Sequence, residues 1–246
     1  MKTEGMRIVL IRGLLRDARH WGNFPALLQS RFPDAEIIMP DIPGSGVYYQ
    51  QTSPNSIQAM TEALHQQIPV GKPLHLIAIS MGGMIAIDWM LRYPSEIETS
   101  VLINTSIRPL SPFYQRLRWQ IYPEIIRLLF QRGEKREQSI LQLTSNEHQQ
   151  NKNILQRWTD WQKQRPVSGK SAINQLLAAA RFSVTSVPQQ PVLLLGSLHD
   201  RLVSNQCSRQ IQQRWKTAVC WHPQAGHDLP LDDSSWVVDR ITQWLT

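Results

Sequence analysis

The sequence predicts a doubly wound α/β fold with a mostly parallel sheet of about six strands, and three observations predict it. Six short apolar runs are each bounded by turn residues. Longer segments with helical spacing lie between them. The two kinds alternate, as they do where every strand is buried on both faces and right-handed crossovers join parallel neighbours.

Taken in order, Arg7 to Ile11 is the first strand and runs into Arg12-Gly13-Leu14-Leu15. A helix over Gly22 to Arg31 precedes the second strand, Glu36 to Met39, and the turn Pro40-Asp41-Ile42-Pro43-Gly44-Ser45-Gly46. Ser56 to Gln67 is the second helix, Leu74 to Ile79 the third strand and Met81 to Arg92 the helix that follows it. Val101 to Asn104 is the fourth strand. Residues 107–183 then break the alternation, because apolar residues recur at three and four and no β-like run appears.

This reads as a helical insertion into a core of residues 1–106 and 184–246. Within it, Ser111-Pro112 suits an N-cap with a first-turn proline, Pro123 should split that helix and Gly133 should cap its C-terminus. Further helices are expected over 134–143, 147–164 and 170–181. Val192 to Leu195, Ser204 to Trp215, Ala218 to Trp221 and Ser234 to Leu245 complete the strand and helix alternation.

At 246 residues the chain can bury one large core without staples. Its apolar stretches, such as Leu176 to Ala180, are far shorter than the ~18 residues of a membrane helix. No signal peptide is read at the N-terminus, and Cys207 and Cys220 make no disulfide framework, so a cytoplasmic protein is expected. The net charge of +7 is uneven: residues 107–183 hold 13 basic against 5 acidic residues. An excess confined to one helical insertion without a recognition motif argues against a nucleic-acid partner. No His, Cys or carboxylate cluster has metal-ligand spacing and no phosphate-binding glycine loop occurs, so no metal or other cofactor is expected.

The third strand ends in Ala78-Ile79-Ser80-Met81-Gly82-Gly83 and passes directly into a helix. Small residues two before and two after the serine suit a strained strand-to-helix turn that presents a nucleophile. A serine hydroxyl needs a base and an orienting carboxylate. Asp200 follows the fifth strand and His227 the sixth, both at the sheet edge where ligand chemistry gathers. Asp228 competes with Asp200 for the acid's place.

With Arg12-Gly13-Leu14-Leu15, the Pro40 to Gly46 turn, the Ser80 elbow, the Asp200 turn and Gly226-His227, the chain resembles the α/β-hydrolase fold family over essentially its whole length. The resemblance implies Ser80 as nucleophile, His227 as general base and Asp200 as its orienting acid. It implies an oxyanion hole of the Leu14 and Met81 backbone N–H groups, and it makes 107–183 a cap. Arg12 stands where relatives carry histidine, either as a prop bonding nearby carbonyls or Asp41, or as a reader of an anionic substrate. Leu15, His20, Trp119 and Trp158 are further candidates to line a substrate pocket.

These expectations favour a cofactor-free serine hydrolase acting on a small-molecule carboxylic ester. Among small capped members the chain resembles the carboxylesterase of biotin synthesis, which implies an anionic acyl group or an acidic acyl carrier protein as partner. A cofactor-free C–C lyase of the same fold, or a hydrolase-like protein that binds without turnover, are the alternatives.

Overall fold

The computed structural model describes residues 5–69 and 71–245. Strands β1 (Arg7–Ile11), β2 (Glu36–Ile38), β3 (Leu74–Ile79), β4 (Ile97–Ile103), β5 (Val192–Ser197) and β6 (Ala218–His222) form one sheet in the order β2-β1-β3-β4-β5-β6. Every pairing is parallel. The core helices are α1 (Phe24–Arg31), α2 (Ile57–His65), α3 (Met81–Arg92), α9 (Gln206–Trp215), α10 (Leu229–Asp232) and α11 (Ser234–Leu245). Between β4 and β5 come α4 (Phe113–Arg116), α5 (Tyr122–Phe130), α6 (Gly133–Thr144), α7 (Lys152–Gln164) and α8 (Gly169–Arg181).

Alternation along the strands divides the core into two layers. Val9 and Ile11 of β1 and Leu74, Leu76 and Ala78 of β3 face α2, α3 and α9. Ile8, Leu10, Ile77 and Ile79 face α1 and α11. Both sides of each central strand are therefore buried, which is why the strands read as unbroken apolar runs. Helices α6 and α7 make a smaller core of their own around Ile140, Leu141, Ile154 and Trp158, against which Leu15 packs.

Local departures from expectation have physical causes. Strand β4 begins at Ile97, earlier than expected, because the polar Glu98, Thr99 and Ser100 mask a segment that pairs with β3 from Leu74 onward; Thr99 Oγ1 lies 2.9 Å from His75 Nδ1 across the ladder. The helix that starts after Pro112 is broken into α4 and α5, and Pro123 stands just after the break, in the first turn of α5, where a missing N–H costs nothing. Gly133, at φ +55°, opens α6 instead of closing its predecessor. Ser111 donates to Gln210 and leaves the N-cap position of α4 to Pro112. Helix α7 starts at Lys152, where Asn151 caps it by accepting from the N–H groups of Asn153 and Ile154. Among the described residues no helix is long and apolar enough to cross a membrane.

Candidate active site

Strand β3 delivers Ser80 to the carboxyl edge of the sheet at φ +58° and ψ −121°, a conformation costly for any residue with a Cβ. Three hydrogen bonds hold it there. The Ser80 N–H donates to Ile103 O (2.9 Å), and its carbonyl accepts from Gly83 N (3.0 Å) and Thr105 Oγ1 (2.8 Å). Helix α3 begins at the next residue, so the Met81 N–H has no acceptor within its own helix. A Cβ on Gly82 would stand 2.4 Å from Ile11 O and 2.6 Å from Arg12 O, which explains the small residue two after the serine. Ala78, two before it, is fully buried between Ile11 and Leu102. A Cβ on Gly13 would lie 3.0 Å from Ser80 Cβ, so the loop after β1 passes directly beside the serine.

The loops after β5 and β6 bring the other two groups together. Asp200 is buried, and its Oδ1 accepts from the N–H groups of Leu202 (2.8 Å) and Val203 (2.9 Å). That leaves Oδ2 for His227 Nδ1, 2.7 Å away. His227 lines the same cavity as Ser80, Leu14 and Met81.

No motif marks Asn104, which stands at φ +45° just beyond β4. Its side chain donates to His227 O (2.8 Å) and Ser197 Oγ (3.0 Å) and accepts from Ser197 N (2.9 Å). One buried amide thus ties β4, β5 and the histidine loop to one another. Its only outward signal is its place at a strand's carboxyl end.

Asp228, the competing carboxylate, is engaged elsewhere. Arg12 Nη1 and Nη2 donate to its two carboxylate oxygens at 3.1 and 2.6 Å, with both side chains 5% exposed. Burial pushes the Asp228 carboxyl up, but the Arg12 charge and hydrogen bonds outweigh it and hold the pKa below the usual carboxylate range. Arg12, for which Asp41 or nearby carbonyls were one expected set of partners, is paired with Asp228. Asp41 accepts instead from the Ala18 and Val47 N–H groups, both at 2.8 Å.

The cavity has a volume of about 320 Å³ and mostly apolar walls, contributed by the β1 loop, α3 and all of α4, α5, α6 and α8. Leu15 is in the wall at φ +61°, its N–H held by Gln175 Oε1 at 2.8 Å. Three other expected wall residues are elsewhere. Trp119 is 62% exposed on the outside of the helical segment. Trp158 and His20 are buried behind the wall around Arg16, whose guanidinium lies 4.1 Å from the Trp158 ring centre and bonds Glu137 at 2.7 Å. Burial first, then the Arg16 charge, pushes the His20 pKa down to about 4, leaving a neutral ring against Asp17.

The carboxyl end of α6 is fastened to this site. Thr144 O accepts from Asp228 N (2.8 Å), and Asp232 Oδ2 accepts from both Gly226 N (2.7 Å) and Asn146 N (2.9 Å). Arg201 reaches Ser145 O at 2.9 Å. Among the described residues no His, Cys and carboxylate group could hold a metal ion.

The α/β-hydrolase fold model matches residues 7–234. No curated protein matches the chain. Among solved structures, a thermophilic esterase from Thermogutta terrifontis superimposes with a TM-score of 0.76 at 19% identity, covering 98% of this chain and 90% of the esterase. A hydrolase from Pseudomonas aeruginosa gives 0.79 at 15% identity over 98% and 90%. The esterase RhEst1 from Rhodococcus gives 0.74 at 15% identity over 99% and 91%. At such identities the superpositions speak for the fold, and with the family match over nearly all of the sequence they lead to one assignment: the chain belongs to the α/β-hydrolase fold family.

Proposed function

We propose that this protein is a serine hydrolase that cleaves a carboxylic ester through an acyl-Ser80 intermediate, without a cofactor. The observation that carries this reading is the 2.7 Å contact between Asp200 Oδ2 and His227 Nδ1 in a cavity shared with a serine at positive φ. With Nδ1–H donated to Asp200, His227 Nε2 is the basic nitrogen that takes the Ser80 proton. Ser80 Oγ then bonds the ester carbonyl carbon, and the oxyanion is received by the Met81 and Leu14 N–H groups. Collapse breaks the bond to the alcohol, which takes the proton back from His227. Water repeats the sequence on the acyl-enzyme and releases the acid.

In this reading residues 107–183 are the cap that roofs the acyl pocket, and the apolar wall selects an acyl chain of moderate size. Esterase-titled neighbours support hydrolysis as the reaction class. A narrower version has the acyl group arrive on an acidic carrier protein, drawn by the 13 basic residues of the cap against 5 acidic ones. Cleavage of a carrier-bound ester that is insensitive to ionic strength removes that version.

The test is labelling with a fluorescent fluorophosphonate, which reports nucleophile activation without knowledge of the substrate. Labelling of the wild type, lost in both Ser80→Ala and His227→Ala, is the expected result. An unlabelled wild type overturns the reading in favour of a binding protein.

A further inference from the structure

Three guanidinium groups stand in the cavity wall: those of Arg12, Arg16 and Arg116. The first two are neutralised by buried carboxylates, Asp228 and Glu137 respectively. Arg116 has no carboxylate partner among the described residues. Its donors go to neutral acceptors: Nη1 to Ala180 O (3.1 Å), Nη2 to Ala179 O (2.5 Å) and Met84 Sδ (3.8 Å), and Nε to Ser106 Oγ (3.4 Å). Those four bonds leave one of the five guanidinium hydrogens free, and the thioether contact is weak enough to be exchanged for a better acceptor.

The surroundings leave the charge uncompensated. Ala179 and Ala180 belong to the last turn of α8, whose carbonyls supply about half a negative charge in total. The neighbouring Cys207 thiol is held protonated by burial, which pushes its pKa up to about 11. Arg108 adds repulsion, and burial is the main cause that pulls the Arg116 pKa down. Arg116 is half-buried, and an unpaired cation at the edge of a largely apolar wall favours a ligand that brings the anion.

Arg116, Met84 and Ser80 line the same cavity, with Arg116 Nη2 3.8 Å from Met84 Sδ, and Met84 is one helical turn beyond Ser80 on α3. A short acyl chain attached at Ser80 therefore extends into the cavity that the cation borders.

We propose that Arg116 is an anion-binding residue of the acyl pocket and that the preferred acyl group carries a carboxylate at its far end, so that the substrate is a half-ester of a short dicarboxylic acid. This rests on the esterase reading for turnover but not for binding. Arg116 also closes the end of α8, and a purely structural role there predicts no discrimination between acyl groups.

The experiment compares phenyl hydrogen adipate and phenyl hydrogen suberate with phenyl hexanoate and phenyl octanoate, each pair matched in chain length. The wild type is expected to show kcat/KM at least 10-fold higher for the half-ester of one pair. In Arg116→Gln that ratio should fall at least 10-fold, and Arg116→Lys should keep part of it. Because the ratio is taken within one variant, a loss of folded protein cancels. A wild-type ratio at or below one for both pairs, or a ratio unchanged in Arg116→Gln, overturns the proposal. If no ester is hydrolysed, the esterase reading fails by itself, and calorimetry with adipate and hexanoate still decides the site. Adipate binding that is lost in Arg116→Gln upholds it, and no adipate binding to the wild type overturns it.

Discussion

Replacing Arg12 with methionine should destabilise the protein by about 3–5 kcal/mol at neutral pH, the cost of removing one partner from a buried ion pair. The upper part of that range applies because both side chains are 5% exposed, two hydrogen bonds of 3.1 and 2.6 Å are lost, and the guanidinium also lies 4.8 Å from the Trp21 ring centre. For a chain of this length the fall in Tm is about 6–20 °C. The loss should also depend on pH. In the wild type the Asp228 carboxyl is depressed, so its stabilisation is present above the unfolded value of about 3.9 and is lost only as pH falls through the lower folded value. Without Arg12, burial raises that carboxyl above its unfolded value, and the variant recovers stability relative to wild type as it takes up a proton. Urea unfolding at pH 7 and pH 4.5 measures both effects, and Arg12→Met with Asp228→Leu should restore most of the loss. A penalty below about 1 kcal/mol at pH 7, or one equal at both pH values, refutes the reasoning.

Three further outcomes are expected. Gly82→Ala should abolish ester hydrolysis and lower Tm, because its methyl would meet Ile11 O at 2.4 Å and force the Arg12 to Leu14 loop away from Ser80. Retained activity would show that the loop can move. Asp200→Asn should lower kcat by about 10³–10⁴-fold with little change in stability, since its Oδ1 bonds to Leu202 and Val203 survive while the His227 tautomer is lost. Stopped-flow acylation checks this against Asp228→Asn, which should instead lose stability. His20, held neutral with a pKa of about 4, contributes stability that is full above its unfolded value of 6.5 and is lost as pH falls toward 4. Unfolding free energy should therefore drop by about 3 kcal/mol across that window, and a His20→Gln variant should show no such drop.

The sheet was legible because burial on both faces writes strands as apolar runs, and Ser80 was legible because its turn demands small residues at set places. Asp200 and His227 stood out by their places beyond two strand ends and by their order after the serine, and the structure brings the two side chains together. What stayed hidden depends on long-range pairing. Nothing in the sequence joins Arg12 to a carboxylate 216 positions away, or Arg16 to Glu137. Asn104 carries no spacing signature, yet its amide joins the ends of β4 and β5 to the histidine loop. The tryptophans misled for the opposite reason: aromatic residues in a helical segment serve its own small core or its exterior as readily as a pocket, and Trp158 and Trp119 do these two things. Gly133 was read as closing a helix and instead opens the next, and the break expected at Pro123 falls just before it, since a proline or glycine marks a turn without saying which side of it the helix takes.

Thr144, Ser145 and Asn146 fasten the end of α6 to the loops of Asp228 and Arg201 and, through Asp232, of Gly226. The other margin is held as well: Gln115 O of α4 accepts from Ser204 N, and just beyond α4 Arg118 donates from its backbone to Leu202 O and from Nη1 to Asp200 O. A displacement of the helical segment at either end is therefore carried to the loop that holds His227 or to the loop that holds Asp200, and a substitution at these anchors far from the cavity floor should reach both side chains.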